Sequence, residues 1–164
     1  MAVRTIRIMG DPILEKKCRK IEEMTPKIKE LITDMIDTMH EQQGVGLAAS
    51  QVGMLKQIFV IDLSANIEGE EIQVFINPEI VTSSGEQTGD EGCLSLPGKH
   101  GQVTRAENVT IKALDEDMKP FTVEASGLKT RAILHENDHL SGVLYTELVE
   151  GEVLDNPLEE EDEE

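Results

Sequence analysis

The sequence has no tryptophan, one tyrosine and three phenylalanines. That poverty excludes single-strand nucleic-acid platforms, which stack bases on aromatic rings. The core must therefore be built from Ile, Leu, Val, Ala and Met. Two cysteines, Cys18 and Cys93, are too few for a disulfide framework. No apolar run approaches the roughly eighteen residues of a membrane span. The opening stretch "MAVRTIRIMGDPILEKK" lacks the continuous apolar segment of a signal peptide. These absences predict a cytoplasmic protein with reduced thiols and no membrane partner. Positive charge is missing from one end of the chain. After Arg131 there is no Lys or Arg, while residues 132–164 carry twelve Asp or Glu. The net charge of −18 disfavours direct binding to nucleic acid.

A chain of 164 residues suits one domain. The expected division is a single catalytic domain over residues 1–148 and an acidic, disordered tail over residues 149–164. The reason is the unbroken run Glu159 to Glu164, which repels itself and buries nothing.

One amphipathic helix is predicted near the N-terminus. Ile28, Leu31, Ile32, Met35, Ile36 and Met39 recur at three- and four-residue spacing, with Thr25 as N-cap, Pro26 in the first turn and Gly44 as the stop. The glycine-rich "GVGLAASQVG", residues 44–53, reads as irregular. "QIFVIDL" and "IQVFINPEIV" read as strands, and residues 109–125 as a hairpin turning at 115–119. Pro78 and Pro97 are expected at strand edges or turns. A second helix is predicted from Gly127 to Leu140, capped by Ser126 and stopped by Gly142. It is expected to be buried. Leu128, Ala132, His135 and His139 share one of its faces.

That face carries chemistry. His135 and His139 lie at i and i+4, with Glu136 beside the first, which is the H-E-x-x-H arrangement of a metal hydrolase with Glu as general base. A third protein ligand is then needed. Downstream there is no histidine, and Glu159 falls in the tail. Upstream stand His40, His100, Cys18 and Cys93. Cys18, in "EKKCRK", reads as an exposed and incidental thiol. Cys93, in "GDEGCLSLPG", is the favoured ligand, because its thiolate suits a soft or borderline cation. Gln51 of the glycine-rich loop offers an uncharged amide donor for a reacting carbonyl.

Taken together, "GVGLAASQ", "EGCLS" and "HENDH", in that order and spacing, resemble the three signature motifs of bacterial peptide deformylases. "GDPIL" and "DHLSGVLY" extend the resemblance over residues 4 to about 148. The resemblance implies an α+β fold, with antiparallel sheets packed around a central helix that carries the histidines. It implies hydrolysis of the formyl group from the N-formylmethionine of nascent polypeptides. By the same resemblance, Cys93, His135 and His139 bind the metal, Fe2+ in this family and replaceable by Ni2+, Co2+ or Zn2+. Glu136 acts as base and acid, and Gln51 with the N–H of Leu94 meets the oxyanion. Gly46 and Gly92 hold the peptide as an added strand. Val45, Leu128, Ala132 and the His135 ring line the methionine pocket. Ser50 and Leu134 depart from the family's usual Pro and Gln. Members often end in a basic helix that docks on the ribosome; this acidic terminus would not dock that way. Two further readings remain: a zinc peptidase cutting internal bonds, and a structural zinc module.

Overall fold

The computed structural model describes residues 3–151 and 153–155. Helix α1 spans Pro26–Glu41. The Thr25 hydroxyl accepts the Ile28 N–H at 3.2 Å, so the expected cap is in place. The helix stops at Glu41, before the glycine. Gln43 takes the left-handed conformation at φ 58°, and the N–H groups of Gln43 and Gly44 close on the carbonyls of His40 and Met39.

The strands are β1 (Gly46–Ala48), β2 (Ile58–Ile61), β3 (Gln73–Ser84), β4 (Gln87–Cys93), β5 (Leu96–Arg105), β6 (Asn108–Leu114), β7 (Pro120–Ser126) and β8 (Leu154–Asp155). They form two antiparallel sheets. One has five strands in the order β1-β2-β3-β6-β7, and the other has three in the order β4-β5-β8. The glycine-rich loop is therefore more regular than its composition suggests. Three of its residues make β1, and Ala49–Val52 follow as a 3₁₀ turn.

Every residue of β2 is buried because the five-stranded sheet is covered on both faces. Ile58 and Val60 point to one cluster with Ile28, Leu31, Ile32 and Met35 of α1. Phe59 and Ile61 point to the other, with Ala132, Ile133 and Leu140 of helix α2, Gly127–Leu140. The alternation of a strand thus distributes one apolar run between two helices. Pro78 sits inside β3 rather than at an edge, and β3 lies between β2 and β6. It is tolerated because the β3–β6 register shifts between Ile76 and Glu79. The 115–119 turn is closed by the Asp115 carboxylate, which accepts N–H bonds from Asp117 and Lys119.

Helix α2 starts without the expected serine cap. Ser126 makes no capping bond; instead the Gly127 N–H is taken by the carbonyl and the carboxylate of Glu107. Its other end stops at Leu140 as expected. Gly142 adopts φ +80°, and a Cβ there would lie 2.5 Å from the Glu15 carbonyl oxygen. Only glycine meets both demands.

Two further expectations need correction. Cys18 is buried, not exposed. Its N–H donates to the Leu140 carbonyl, and its side chain joins the α2 cluster despite charged neighbours in sequence. Burial pushes its thiol up to about 11, so it is an unreactive thiol at neutral pH. The tail was expected to leave the fold at residue 149. Val149 instead bridges Val103, the Glu150 N–H donates to Gln102, and β8 pairs with Lys99 and His100 of β5. Backbone pairing there outweighs the local excess of acid. The rest of the expected tail, residues 152 and 156–164, lies outside the described residues. Among the described residues no helix is long and apolar enough to cross a membrane.

Candidate metal centre

A cleft of about 550 Å³ opens between the two sheets. Its walls are two sheet edges: β1, preceded by Gly44 and Val45, and β4, ending in Gly92 and Cys93. Ala132, His135 and Glu136 of α2 also line it. Leu128 belongs here rather than in the core. It is 44% exposed and lines the cleft beside Val45, itself 40% exposed. Leu94 and Ser95 make the turn between β4 and β5.

Helix periodicity brings His135 and His139 together, with ring centroids 5.1 Å apart. The end of β4 brings Cys93 to them. Cys93 Sγ lies 3.4 Å from His139 Nε2, and the three ligand atoms lie within 4.8 Å of one another. No other such cluster of potential ligands occurs among the described residues. His40 and His100 are elsewhere, each 2.7 Å from a carboxylate, Asp62 and Asp90 respectively.

The donor set of one sulfur and two imidazoles fits a borderline divalent cation. Burial, and then the charges of His135 and Arg105, press the His139 imidazole well below its ordinary value. It is therefore neutral and able to ligate. Its Nδ1 has no partner. Burial would lower His135 too, but hydrogen bonds to Cys93 and Glu91 outweigh it and raise the ring to about 10 in the metal-free protein. A cation must displace that proton, so acid opposes metal uptake here.

Gln51 is fixed from both ends. Its Oε1 accepts the Ala48 N–H at 2.9 Å. Its Nε2 donates to Ser95 Oγ at 3.1 Å and reaches Cys93 Sγ at 3.5 Å. The amide thus presents its N–H groups beside the sulfur. Ser50, next to it, donates to the His139 carbonyl at 3.4 Å.

Glu136 is 6% exposed, and its Oε1 has no hydrogen-bond partner. Burial pushes its carboxyl up to about 7, against the pull of the His135 charge. Gly46 makes room for it: a Cβ at position 46 would lie 2.6 Å from Glu136 Oε2. The glycine is there for close approach to an acid.

Sequence reasoning missed the layer behind the ligands. Glu91 Oε1 accepts His135 Nδ1 at 2.8 Å, leaving Nε2 for the cleft side. Glu91 is itself clamped by Arg105, at 2.6 and 3.0 Å, and by Arg131 at 2.7 Å. Arg105 also donates to Asp138 at 2.8 Å. Two signals were available. Glu91 stands two residues before Cys93 in the chain, and Arg131 lies one helical turn before His135. Tyr145 was missed as well. It is 2% exposed and its ring lies 5.9 Å from that of His135. Burial, and then Cys93, push its phenol up to about 12, so it carries its proton.

The Glu91 clamp predicts acid sensitivity. Burial alone would raise this carboxyl, but hydrogen bonds from His135 and Arg105 hold it at about 2, below its ordinary 4.5. A lowered folded value stabilises the fold above the unfolded value and loses that contribution as pH falls from about 4.5 to about 2. The contribution is about 3 kcal/mol, at 1.36 kcal/mol for each pKa unit. Urea midpoints of metal-stripped protein should fall across that window. Glu91→Gln should be weaker at pH 7 and fall less. Parallel curves for the two proteins would remove Glu91 from this role.

Comparison with known proteins gives consistent matches. Residues 3–153 match the family model for polypeptide deformylase. A peptide deformylase of Lachnoclostridium phytofermentans is 60% identical over 164 residues, spanning 100% of this chain and 99% of that protein. The crystal structure of a Legionella pneumophila peptide deformylase is similar at a TM-score of 0.86 and 40% identity, covering 98% of this chain and 90% of that one. A Synechococcus elongatus peptide deformylase, solved in complex with actinonin, gives 0.83 and 37%, covering 96% and 81%.

Proposed function

The chain belongs to the polypeptide deformylase family, and from that premise we propose how its own residues carry the reaction. It is a hydrolase that removes the N-formyl group from nascent peptides. The family is metal-dependent, and Cys93, His135 and His139 are the residues that would hold the ion. Fe2+ is the proposed ion, with Ni2+, Co2+ or Zn2+ as replacements that a thiolate and two imidazoles also suit. When bound, the ion supplies Lewis acidity to the formyl oxygen and to the attacking water.

The protein's own groups do the rest. Glu136, with a carboxyl poised near neutrality, takes a proton from the water and returns it to the leaving amine. Gln51 Nε2 and the Leu94 N–H meet the charge that develops on the formyl oxygen; one such donor contributes about 2.7–4 kcal/mol in acyl transfer. Val45, Leu128, Ala132 and the His135 ring receive the methionine side chain. Gly46 and Gly92 lie on the β1 and β4 edges, whose unpaired backbone groups can take the peptide as an added strand. The observation that carries this reading is the convergence of one sulfur and two ring nitrogens within 4.8 Å, beside an unpartnered buried Glu136 oxygen.

The place of action is proposed to be the cytoplasm, on N-formylmethionyl chains as they are made. Any meeting with the ribosome would be transient, and residues 132–164 bring no Lys or Arg to it. A peptidase for internal bonds is disfavoured by the family, and a closed structural zinc site by the cleft that reaches the ligands.

The test is formate release from formyl-Met-Ala-Ser by protein purified without oxygen, with its metal counted. Release is expected from the formylated peptide, with no cleavage of unblocked peptides. Actinonin, held by the Synechococcus elongatus enzyme, should compete. Cleavage of internal bonds without formate would overturn the assignment.

A further inference from the structure

The two proposed oxyanion donors come from separate sheets. Gln51 stands in the 3₁₀ turn that follows β1, the edge strand of the five-stranded sheet. Leu94 stands in the turn from β4 to β5, in the three-stranded sheet. Among the described strands none pairs across the two sheets. Both donors must nonetheless meet one oxygen atom. A misplacement of about 1 Å at a reacting site can cost about 10²-fold in rate, so their separation has to be fixed.

The start of the chain runs between them. The Arg7 N–H donates to the Gln51 carbonyl at 2.7 Å. Two residues on, the Met9 N–H donates to the Ser95 carbonyl, also at 2.7 Å. Ser95 follows Leu94 directly, and its Oγ accepts from the Gln51 amide at 3.1 Å. The three bonds close a ring that joins the segment, Gln51 and Ser95. The segment is tied down on either side of that ring. Before it, the Arg4 N–H donates to Thr38 Oγ1 at 2.8 Å, and the Arg4 guanidinium lies 2.9 Å from Asp34, both on buried positions of α1. After it, Asp11 accepts the Ile13 N–H at 3.0 Å and the Arg7 guanidinium at 2.9 Å. Arg7, Ile8 and Met9 are themselves exposed. Side-chain burial therefore does not account for their backbone lying against the site; the two main-chain bonds do.

We propose that residues 4–11 form a strap that sets the distance between the Gln51 amide and the Leu94 N–H. Arg7 and Met9 are positioning residues that act through main-chain N–H groups. The strap joins the two sheets at the place where their donors must converge.

This inference rests on Gln51 and Leu94 meeting the developing charge, and the experiment separates the two claims. Cys18 allows the full chain to be assembled by ligating a synthetic segment 1–17 to residues 18–164, with the native residue at the junction. In one product the Met9 amide nitrogen is replaced by an ester oxygen, which removes a single N–H and leaves every side chain. In a control the replacement is at Ile8, whose N–H donates no backbone bond among the described residues. Both are folded with Ni2+ and assayed on formyl-Met-Ala-Ser. A donor that acts only in the transition state moves kcat and kcat/KM together. The Met9 ester should therefore lose about 10-fold in kcat against the Ile8 ester, with KM and Ni2+ content unchanged. A segment that served stability alone would lower the urea midpoint and leave kcat of the folded protein equal, and that result overturns the strap. Should the Met9 ester fail to fold, the Arg7 ester, which frees the Gln51 carbonyl instead, decides on the same terms. Full turnover in Gln51→Met would overturn the oxyanion reading itself. Slow turnover in Gln51→Met beside equal kcat for the esters would overturn the strap alone.

Discussion

Glu136→Gln is expected to keep its metal and lose turnover by about 10²–10⁴-fold, the range that a positioned general acid–base supplies. The substitution preserves shape, which matters because the side chain fills the space left by Gly46. What it removes is the proton-accepting oxygen. Burial has already raised this carboxyl to about 7, so at neutral pH it can both take and return a proton. The base must be ionised to act. Activity should therefore rise with pH as Glu136 loses its proton. A cation in the site favours the ionised form and moves that rise below pH 7. In Glu136→Gln the acidic limb should vanish together with the rate. Metal analysis and formate release on one sample check both halves. Near-normal turnover at full metal content would take Glu136 out of the mechanism.

The second large effect is expected at the sulfur. Cys93→Ala should lose metal by more than the 10–100-fold that removal of an outer partner costs. No described residue stands ready to replace it. His40 and His100 are engaged with Asp62 and Asp90, and neither joins the Cys93, His135, His139 cluster. Cys18 is enclosed in the cluster under α2. Competition against a chelator measures the loss directly, without reference to activity. Full occupancy in Cys93→Ala would mean that another group completes the site.

The candidate cluster of Cys93, His135 and His139 was legible because its signals are local. Two histidines one helical turn apart announce themselves in five residues. Cys93 stands out as the thiol flanked by residues that let backbones come close. The supporting layer was not legible, because its partners come from distant parts of the chain. Glu91 meets His135 across 44 residues and Arg105 across 14. A charged residue in a short window reads as surface, and only the fold shows that Glu91, Arg105 and Arg131 bury one another. The same bias made Cys18 look exposed among lysines and an arginine, although the backbone turns it inward. Composition also set the tail at residue 149, where Val149 and Leu154 still find β5. The helix cap at Ser126 failed for a related reason. A carboxylate twenty residues away, on Glu107, reached the first N–H instead.

The cleft has main-chain edges for both walls, β1 on one side and β4 on the other. A ligand gripped in that manner is recognised by features every polypeptide shares. Only the proposed pocket for the first side chain, at Val45, Leu128 and Ala132, asks for anything particular. Such a grip suits a housekeeping task, in which a single enzyme must serve the beginnings of very many unrelated gene products and favour none of them.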